Sequence, residues 1–459
     1  MLMRDMSELE RRGVATVAWT AKGFVEDAHW SANVFGCPEA PIAEVPAPFT
    51  NQDPGRIRGM VDVALPQVIA ALTHTQELLS GSLIFKHITL ATDPELVYTA
   101  RDWLGCFDEM NDAFVRAGWS DGMPLVPPTR EKVDAMIAAS GRRSDEVVGI
   151  FEPGFGIGTV EKIAANAVMA GCKPQAMPVI LAMAECILDT RIGLRGFAMS
   201  TGPQAPVVMV SGPIAQEIGM NHGVCALGPG SISAVNVGIG RALRLIMMNV
   251  GHSYPGVSDM DTIGSSMKFS ACVAENEQAN PWEPYRVARG YDREASIVSV
   301  NVPYGVCELF DFQNHDPNLL IESFCSAIKN GAQTGSGNWL ISSPDDGGPL
   351  HGERENLILL CPDHASVFRN AGWSLRDVKE ALYKGARMPF RTLMLAKPKQ
   401  AFQVAHPNLQ WLWDHPETEL SMFRSPEFFD IFVVGADAGR SLYHFGGSLS
   451  ISRQVKKPR

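Results

Sequence analysis

Several signatures are missing from this 459-residue sequence, and each absence removes a class of function. No His-Glu-x-x-His and no Cys-x-x-Cys occurs, and Cys361-x-x-His364 has no second half, so no metal site is expected from spacing. No glycine loop ends in Gly-Lys-Ser/Thr, which excludes a P-loop. No basic run precedes the closing "RQVKKPR", and 39 Lys and Arg against 50 Asp and Glu leave a formal charge of −11. An acidic chain lacks the electrostatic footprint of a nucleic-acid binder, so its partners are expected to be small molecules or proteins. The N-terminal "MLMRDMSELERRG" is charged and helical, without the apolar core or cleavage site of a signal peptide. The longest apolar stretch, residues 163–188, is interrupted by Lys173 and Pro174 and reads as two buried helices, so no membrane partner is expected. Nine cysteines, an odd number without a framework, suit a reducing cytoplasm better than a disulfide scaffold.

What is present is an ordinary globular composition, 46% apolar and 19% charged, enough for a large core. Short apolar strands precede loops and helix starts in "EVVGIF-EPGFGIG-TVEKIAANAV", "APVVMV-SG-PIAQEIG", "NLILLC-PDH-ASVFRNAG" and "DIFVVG-ADAGR", and "ASIVSVNVPYG" adds a further strand. This alternation predicts an α/β fold with largely parallel sheets and flanking helices, in two α/β units. The expected division is an N-terminal unit over 1–105, a larger domain over 106–425 with glycine-rich anion-binding loops, and a C-terminal strand and tail over 426–459. Helices are expected over 59–80, near 94–117, and after the N-cap Thr129. "FVRAGWS" at 114–120 is echoed by "FRNAGWS" at 368–374. Two explanations stay open, a duplicated half-domain or one helix stop used twice, with Gly at C′ and Trp packing back.

In α/β folds the loops after strand C-termini converge on the ligand. "GFGIG" at 154–158, followed by a helix that Thr159 can cap, would let backbone N–H groups of Gly156 and Gly158 approach an anion, although the full dinucleotide fingerprint is absent. Ser211 follows a strand. Asn221 and His222 precede "GVCALGPGSISAVNVGIG", where Gly230 is flexible, Ser231 or Ser233 can cap a helix, and Arg241 and Arg244 share a face. Glu275, Glu277 and Glu283 lie close to Trp282 in a Pro-stiffened loop and could move protons. Asp121, in "GWSDGMP", suits an Asx turn or an orienting carboxylate. Cys172, in "NAVMAGCKPQAMPVI", has Lys173 beside it and a helix start after it. Cys225 precedes the Gly-Pro-Gly loop, and Cys361 ends a strand. Buried packing and nucleophilic chemistry both remain open for these thiols.

Segment 8–49, "ELERRGVATVAWTAKGFVEDAHWSANVFGCPEAPIAEVPAPF", resembles the UGSC family of (seleno)proteins. "GWSDGMPLVPPT", "TVEKIAANAVMAGCKP", "NVGIGRALRLIMMNVG", "AENEQANPWEPY" and "NAGWSLRDVKEAL" resemble its long-form members. The resemblance extends distantly to the selenoprotein B component of glycine reductase, which implies thiol or selenol chemistry on a small carboxylate or amine. The family's Cys/Sec-Gly-Ser-Cys motif, expected just before "MSELERRG", is absent from a sequence beginning Met1-Leu2-Met3-Arg4. Either the start lies further upstream or this member has lost the redox pair.

The leading expectation is therefore a cytoplasmic enzyme, an oxidoreductase or lyase, that cleaves a small anionic metabolite by thiol-dependent reductive or eliminative chemistry. Cys172 or Cys225 would be the nucleophile, with Glu275 or Glu277 moving protons and Asp121 orienting. Gly156, Gly158, Thr159, Ser211, Asn221, His222, Gly230, Ser231, Arg241 and Trp282 would bind the anion. The alternatives are non-redox lyase or hydratase chemistry, acid–base or metal-assisted, and a non-catalytic subunit of a thiol or selenol complex. The sequence names no cofactor. A homo-oligomer is expected, with a thiol-carrying protein as a further partner.

Overall fold

Runs such as "VVMV", "IVSV", "LILL" and "IFVV" place apolar side chains on both faces of a strand, so both faces demand cover. The structure, a computed structural model, describes residues 2–34, 37–46, 52–73, 95–331, 355–394, 407–423 and 425–456. It meets the demand with two four-stranded sheets stacked face to face and helices on both outer surfaces. The first sheet has the order Ile451–Gln454, Ile297–Asn301, Val207–Ser211, Cys272–Ala274; the second has Gly305–Phe310, Arg440–Phe445, Asn356–Leu360, Phe429–Val433.

The two sheets have the same topology. In each, a founding strand (Val207–Ser211 or Asn356–Leu360) pairs in parallel with the next strand of its own sheet, Cys272–Ala274 or Phe429–Val433. A third strand, Ile297–Asn301 or Arg440–Phe445, then pairs antiparallel on the other side of the founder. The fourth strand completes the sheet antiparallel to the third, and here the halves exchange. Gly305–Phe310 follows Ile297–Asn301 in the chain but joins the second sheet, while Ile451–Gln454 follows Arg440–Phe445 but joins the first.

Strand alternation assigns the layers. Val207, Met209, Val273 and Ile297 meet Leu357, Leu359 and Phe432 between the sheets. The opposite faces, Val208, Val210, Val298 and Val300 in one sheet and Ile358, Leu360, Ile431 and Val433 in the other, pack against helices. Met177–Ile187 and Ala234–Asn249 cover the first sheet, and Pro317–Gly331 covers the second. Residues 231–249 are long and apolar enough to cross a membrane, but 61% of that stretch is buried inside the protein. The N-terminal segment has its own small core of Met3, Met6, Ala18, Ala28 and Ala32 under a parallel pair, Ala18–Ala21 and Ile42–Val45.

Several expectations change. The fold is mixed α/β, and of nine strand pairings among the described residues three are parallel and six antiparallel. Strand–helix alternation yields parallel neighbours only while the chain returns to the same sheet, and here each half leaves its sheet after the third strand. "EVVGIF-EPGFGIG" is a hairpin, Val147–Phe151 against Gly156–Thr159, and "DIFVVG-ADAGR" leads into the strand Arg440–Phe445, not a helix. The helix expected over 59–80 runs Pro54–Thr73 and that near 94–117 runs Trp103–Arg116; residues 74–94 and loop residues 47–51 lie outside the described residues.

The "AGWS" echo resolves into a helix stop. Gly118 (φ 77°) and Gly372 (φ 75°) take the left-handed conformation at C′. Trp119 N–H donates to Phe114 O and Trp373 N–H to Phe368 O, the six-to-one bond of a Schellman motif. Each Trp then packs on its Phe, at 5.1 Å and 5.8 Å between centroids. The first copy precedes the founding strand of its half and the second follows it, so the echo does not mark equivalent positions.

His444 shares the inter-sheet face with Leu357, is 1% exposed, and has no hydrogen-bond partner at either ring nitrogen. Burial pushes its pKa down to about 4. A depressed imidazole is neutral in both states above about pH 6.5; as pH falls towards 4 the unfolded chain takes up a proton that the folded chain refuses, and stability is lost. His444→Leu is expected to match or exceed the wild type at pH 7 and to lose about 3 kcal/mol less between pH 7 and pH 4. Denaturant melts at the two pH values check this; equal losses in both proteins would refute it.

Candidate functional site

A cleft of about 1290 Å³ opens on the outer side of the first half. One wall is the helix Trp103–Arg116, which presents Phe107, Met110 and Phe114 and starts where Asp102 accepts a hydrogen bond from Gly105 N–H at 2.9 Å. The facing wall comes from the helix starts at Arg130 and Val160, with Lys132, Lys162 and Asn166. Thr159 caps the second of these, its Oγ1 accepting from Lys162 N–H at 3.3 Å. The floor is the end of Ala234–Asn249 and the turn through His252 and Tyr254.

His252 holds a left-handed backbone, φ 58°, as does Phe155 at 58°. Non-glycine residues persist there only when their surroundings over-determine them. The hairpin turn supplies that pressure. Gly154 N–H donates to Gly251 O at 2.8 Å, and a side chain at Gly154 or Gly156 would collide with His252 or with the Val250 carbonyl. Ser258 closes the corner, donating to His252 O at 2.5 Å and accepting from Tyr254 N–H at 2.9 Å. The glycines expected to cradle an anion therefore permit close backbone packing behind a histidine.

The polar groups on the cleft wall have an acid–base character. His252 Nδ1 lies 3.2 Å from Tyr254 Oη. Burial, with a contribution from Lys162, pushes His252 down to about 4, so it is neutral at pH 7, and burial pushes Tyr254 up to about 12. The exposed Lys162 donates from Nζ to the Ile157 carbonyl at 3.0 Å. Arg130, by contrast, pairs with Glu161 at 2.5 Å. Asn249 Nδ2 donates to Trp119 O and Asn166 Oδ1, while Asn249 Oδ1 is buried without a hydrogen bond. Cys106 also lines the cleft, its Sγ donating to Tyr98 O at 3.7 Å.

The residues anticipated from sequence fall elsewhere, in three groups. Ser211, Glu275 and Glu277 do come together at the end of the first sheet. Glu275 accepts from Ser211 Oγ at 2.5 Å, Asn280 Nδ2 at 2.8 Å and Tyr285 N–H at 2.8 Å. Glu277 accepts from Gly212 N–H at 3.1 Å and Arg286 Nη1 at 2.6 Å. Burial raises the pKa of Glu275, and those hydrogen bonds oppose the rise. Trp282 belongs to the same loop, but its indole donates to Trp373 O at 3.0 Å and packs with the second half.

The second group is the loop after Asn221. Its side chain donates to Val224 O and Ser233 Oγ, and the His222 carbonyl accepts from Gly435 N–H at 2.8 Å. Cys225 is exposed at φ 54°, and its carbonyl accepts from Ser233 Oγ. Gly230 (φ 135°) and Ser231 precede the helix, where Ser233 stands at the N-cap without a side-chain cap bond.

In the third group, Asp121 and Arg241 satisfy each other. Arg241 Nε and Nη2 reach the carboxylate at 2.7 and 2.8 Å, and Nη2 also donates to the Met123 and Pro124 carbonyls. Cys172 sits one turn away, opposite Gly238, at another Schellman stop in which its N–H donates to Ala167 O. Burial pushes its thiol up to about 12, so no thiolate is available there at neutral pH. The cleft group, His252, Tyr254, Lys162 and Asn249, has no spacing signature, because a hairpin and three helices assemble it. The one legible hint was a histidine between glycine and turn residues in "VGHSYPG". Among the described residues no cluster of three His, Cys, Asp or Glu is placed to hold a metal.

The Asp121–Arg241 pair is buried, at 2% and 12% side-chain exposure. Removing one partner strands the other charge, so Arg241→Ala is expected to cost about 3 kcal/mol or more in a urea melt. Cys172→Ala should cost about 1 kcal/mol. A cost below about 0.5 kcal/mol for Arg241→Ala would show that the pair does not anchor this loop.

Compared with known proteins, no curated protein and no solved structure matches the chain. The cleft and its histidine lie beyond the stretch that carries a family match. The chain is similar to the UGSC family over residues 1–74, where that family's model matches it.

Proposed function

We propose that the protein is an enzyme that binds an organic anion in the 1290 Å³ cleft and acts on it by proton transfer, without a thiol nucleophile. The observation that carries this reading is His252, strained, neutral and hydrogen-bonded to Tyr254 on the cleft wall. Backbone strain at a pocket-facing histidine is a recurrent mark of functional sites. Lys162 and Lys132 would attract the anion, and Tyr254 would orient the imidazole. A bound anion offsets the influence of Lys162 on His252 and raises the proton affinity of the ring, which makes it a better base in the complex than in the free protein.

One observation favours thiol chemistry as a second reading. Hydrogen bonding from His364 and Ser441 holds the Cys361 thiol below its usual range despite burial, whereas burial raises Cys37, Cys172, Cys186, Cys272, Cys307 and Cys325. Against it, Cys361 and His364 are 3% and 2% exposed. Faster labelling of Cys361 than of a model thiol at pH 7 would favour this reading over the first.

The acid–base reading is tested by calorimetry with naphthoate, an aromatic carboxylate, in two buffers of different ionisation heat. At pH 5.5 binding should take up a fraction of a proton, and at pH 8 none. His252→Asn should retain binding and abolish the uptake. Binding without proton uptake at pH 5.5 in the wild type would remove His252 from the site.

A further inference from the structure

The cleft is too large and too apolar on one side for a small metabolite. Its volume, about 1290 Å³, exceeds the roughly 300–1,000 Å³ typical of sites for drug-sized ligands. Most of its charged groups, Arg130, Lys132, Glu161 and Lys162, share a wall with Asn249 and His252, and Glu95 stands at the mouth. The opposite wall is the apolar face of Trp103–Arg116, and the apolar surface does not stop at the interior. At the mouth Val97 is 84% exposed, Trp103 80%, Leu104 69% and Leu96 44%. Four large apolar side chains held in water beside an apolar interior mark a binding surface, since scattered single exposures are the ordinary case. The protein as a whole carries −11, yet in the cleft Arg130 faces both Glu161, at 2.5 Å, and Glu95, at 4.0 Å, and Lys132 and Lys162 leave the lining with a positive excess, so the head group it suits is negative.

We infer that the occupant is an amphiphile: a carboxylate head against Lys162 and His252, with an alkyl chain laid along Phe107, Met110 and Phe114 towards Trp103 and Leu104. This rests on the proposal that the cleft is the substrate site, and it narrows "organic anion" to a medium- or long-chain acyl carboxylate. The ends of the ligand then have separate roles. The head fixes the reacting carbon beside the imidazole, and the chain supplies most of the affinity through apolar burial.

Calorimetric titration of the full chain with butanoate, octanoate and dodecanoate, each below its micellar concentration, tests the inference. Full burial tightens binding about fourfold per methylene, so dodecanoate should bind at least about tenfold more tightly than octanoate. Trp103→Ser, at an exposed position that the core does not use, should reduce that ratio. Dodecyltrimethylammonium should bind at least about tenfold more weakly than dodecanoate. Equal affinities for butanoate and dodecanoate would overturn the amphiphile and leave the organic-anion site standing. Equal affinities for the carboxylate and the ammonium would overturn the anionic head. Failure of naphthoate and of every carboxylate to bind would remove the cleft reading itself.

Discussion

Each sheet of this protein is closed by a strand that the other half supplies, and the rest of the structure depends on that exchange. Ser299 and Ser452 hydrogen-bond across the first sheet although they are 153 residues apart in sequence. Neither half can finish its own sheet, so the inter-sheet core of Val207, Met209, Leu357, Leu359 and Phe432 forms only when both are present. A buried polar knot sits at the crossing. Tyr285 Oη donates to Asp430 Oδ2 at 2.8 Å, Arg289 reaches Glu355 at 3.5 Å and the Ser450 carbonyl, and Glu355 accepts from Ser450 N–H at 2.8 Å. Residues from both halves and from the approach to the exchanged strand Ile451–Gln454 take part. Such groups are costly to desolvate and tolerate few alternative registers, which suits a junction where three chain segments must meet in one arrangement.

The exchange also determines where a ligand can go. The ends of the founding and second strands, the ordinary ligand position in an α/β fold, are turned towards each other and filled with protein. Asn276 N–H donates to Val433 O, and Asn276 Nδ2 to Gly435 O, stitching the two sheet ends together. The open cleft lies instead on the outer helical layer, where the floor is the end of Ala234–Asn249 and the hairpin braces the turn from behind. That bracing explains why the left-handed His252 can persist. Removing the space for its backbone to relax is a packing problem, and Gly154 and Gly156 solve it by having no side chain.

Much of the fold was legible because burial on both faces writes itself as continuous apolar runs, and each of the runs at 207–211, 297–301, 356–360 and 429–433 is a strand. Direction was not legible, since a run of apolar residues carries no sign of which sheet its successor joins. The hairpin at 147–159 is hidden for a related reason: a glycine-rich return strand before a helix has the same local pattern as a strand–loop–helix turn. The site fared worse. Carboxylates, serines and glycines in loops announce themselves as candidates, but the same residue types also close turns and cap helices, and Asp121, Asn221 and Ser233 do that here. Tyr254 and Lys162 read as ordinary surface or core residues until the hairpin brings their elements together.

The distinction between the anticipated cluster and the cleft is one of spare capacity. The carboxylate of Glu275 accepts three hydrogen bonds from Ser211, Asn280 and Tyr285, and Arg241 spends its donors on Asp121 and two carbonyls. Groups that satisfy one another in the folded chain gain little from a ligand, because any new bond replaces one already made. In the cleft the balance is different. Asn249 Oδ1 is buried with no donor, Lys162 gives a bond to a carbonyl but meets no opposite charge in it, and His252 is held in the form with the lower desolvation cost. Of the three only the unpaired Asn249 Oδ1 costs stability at pH 7; the exposed Lys162 is solvated and the imidazole is neutral in both states, so both are available to an anion. Unpaired buried atoms alone do not mark the cleft, since His444 has two between the sheets; what sets the cleft apart is that its imidazole and its lysines border open space.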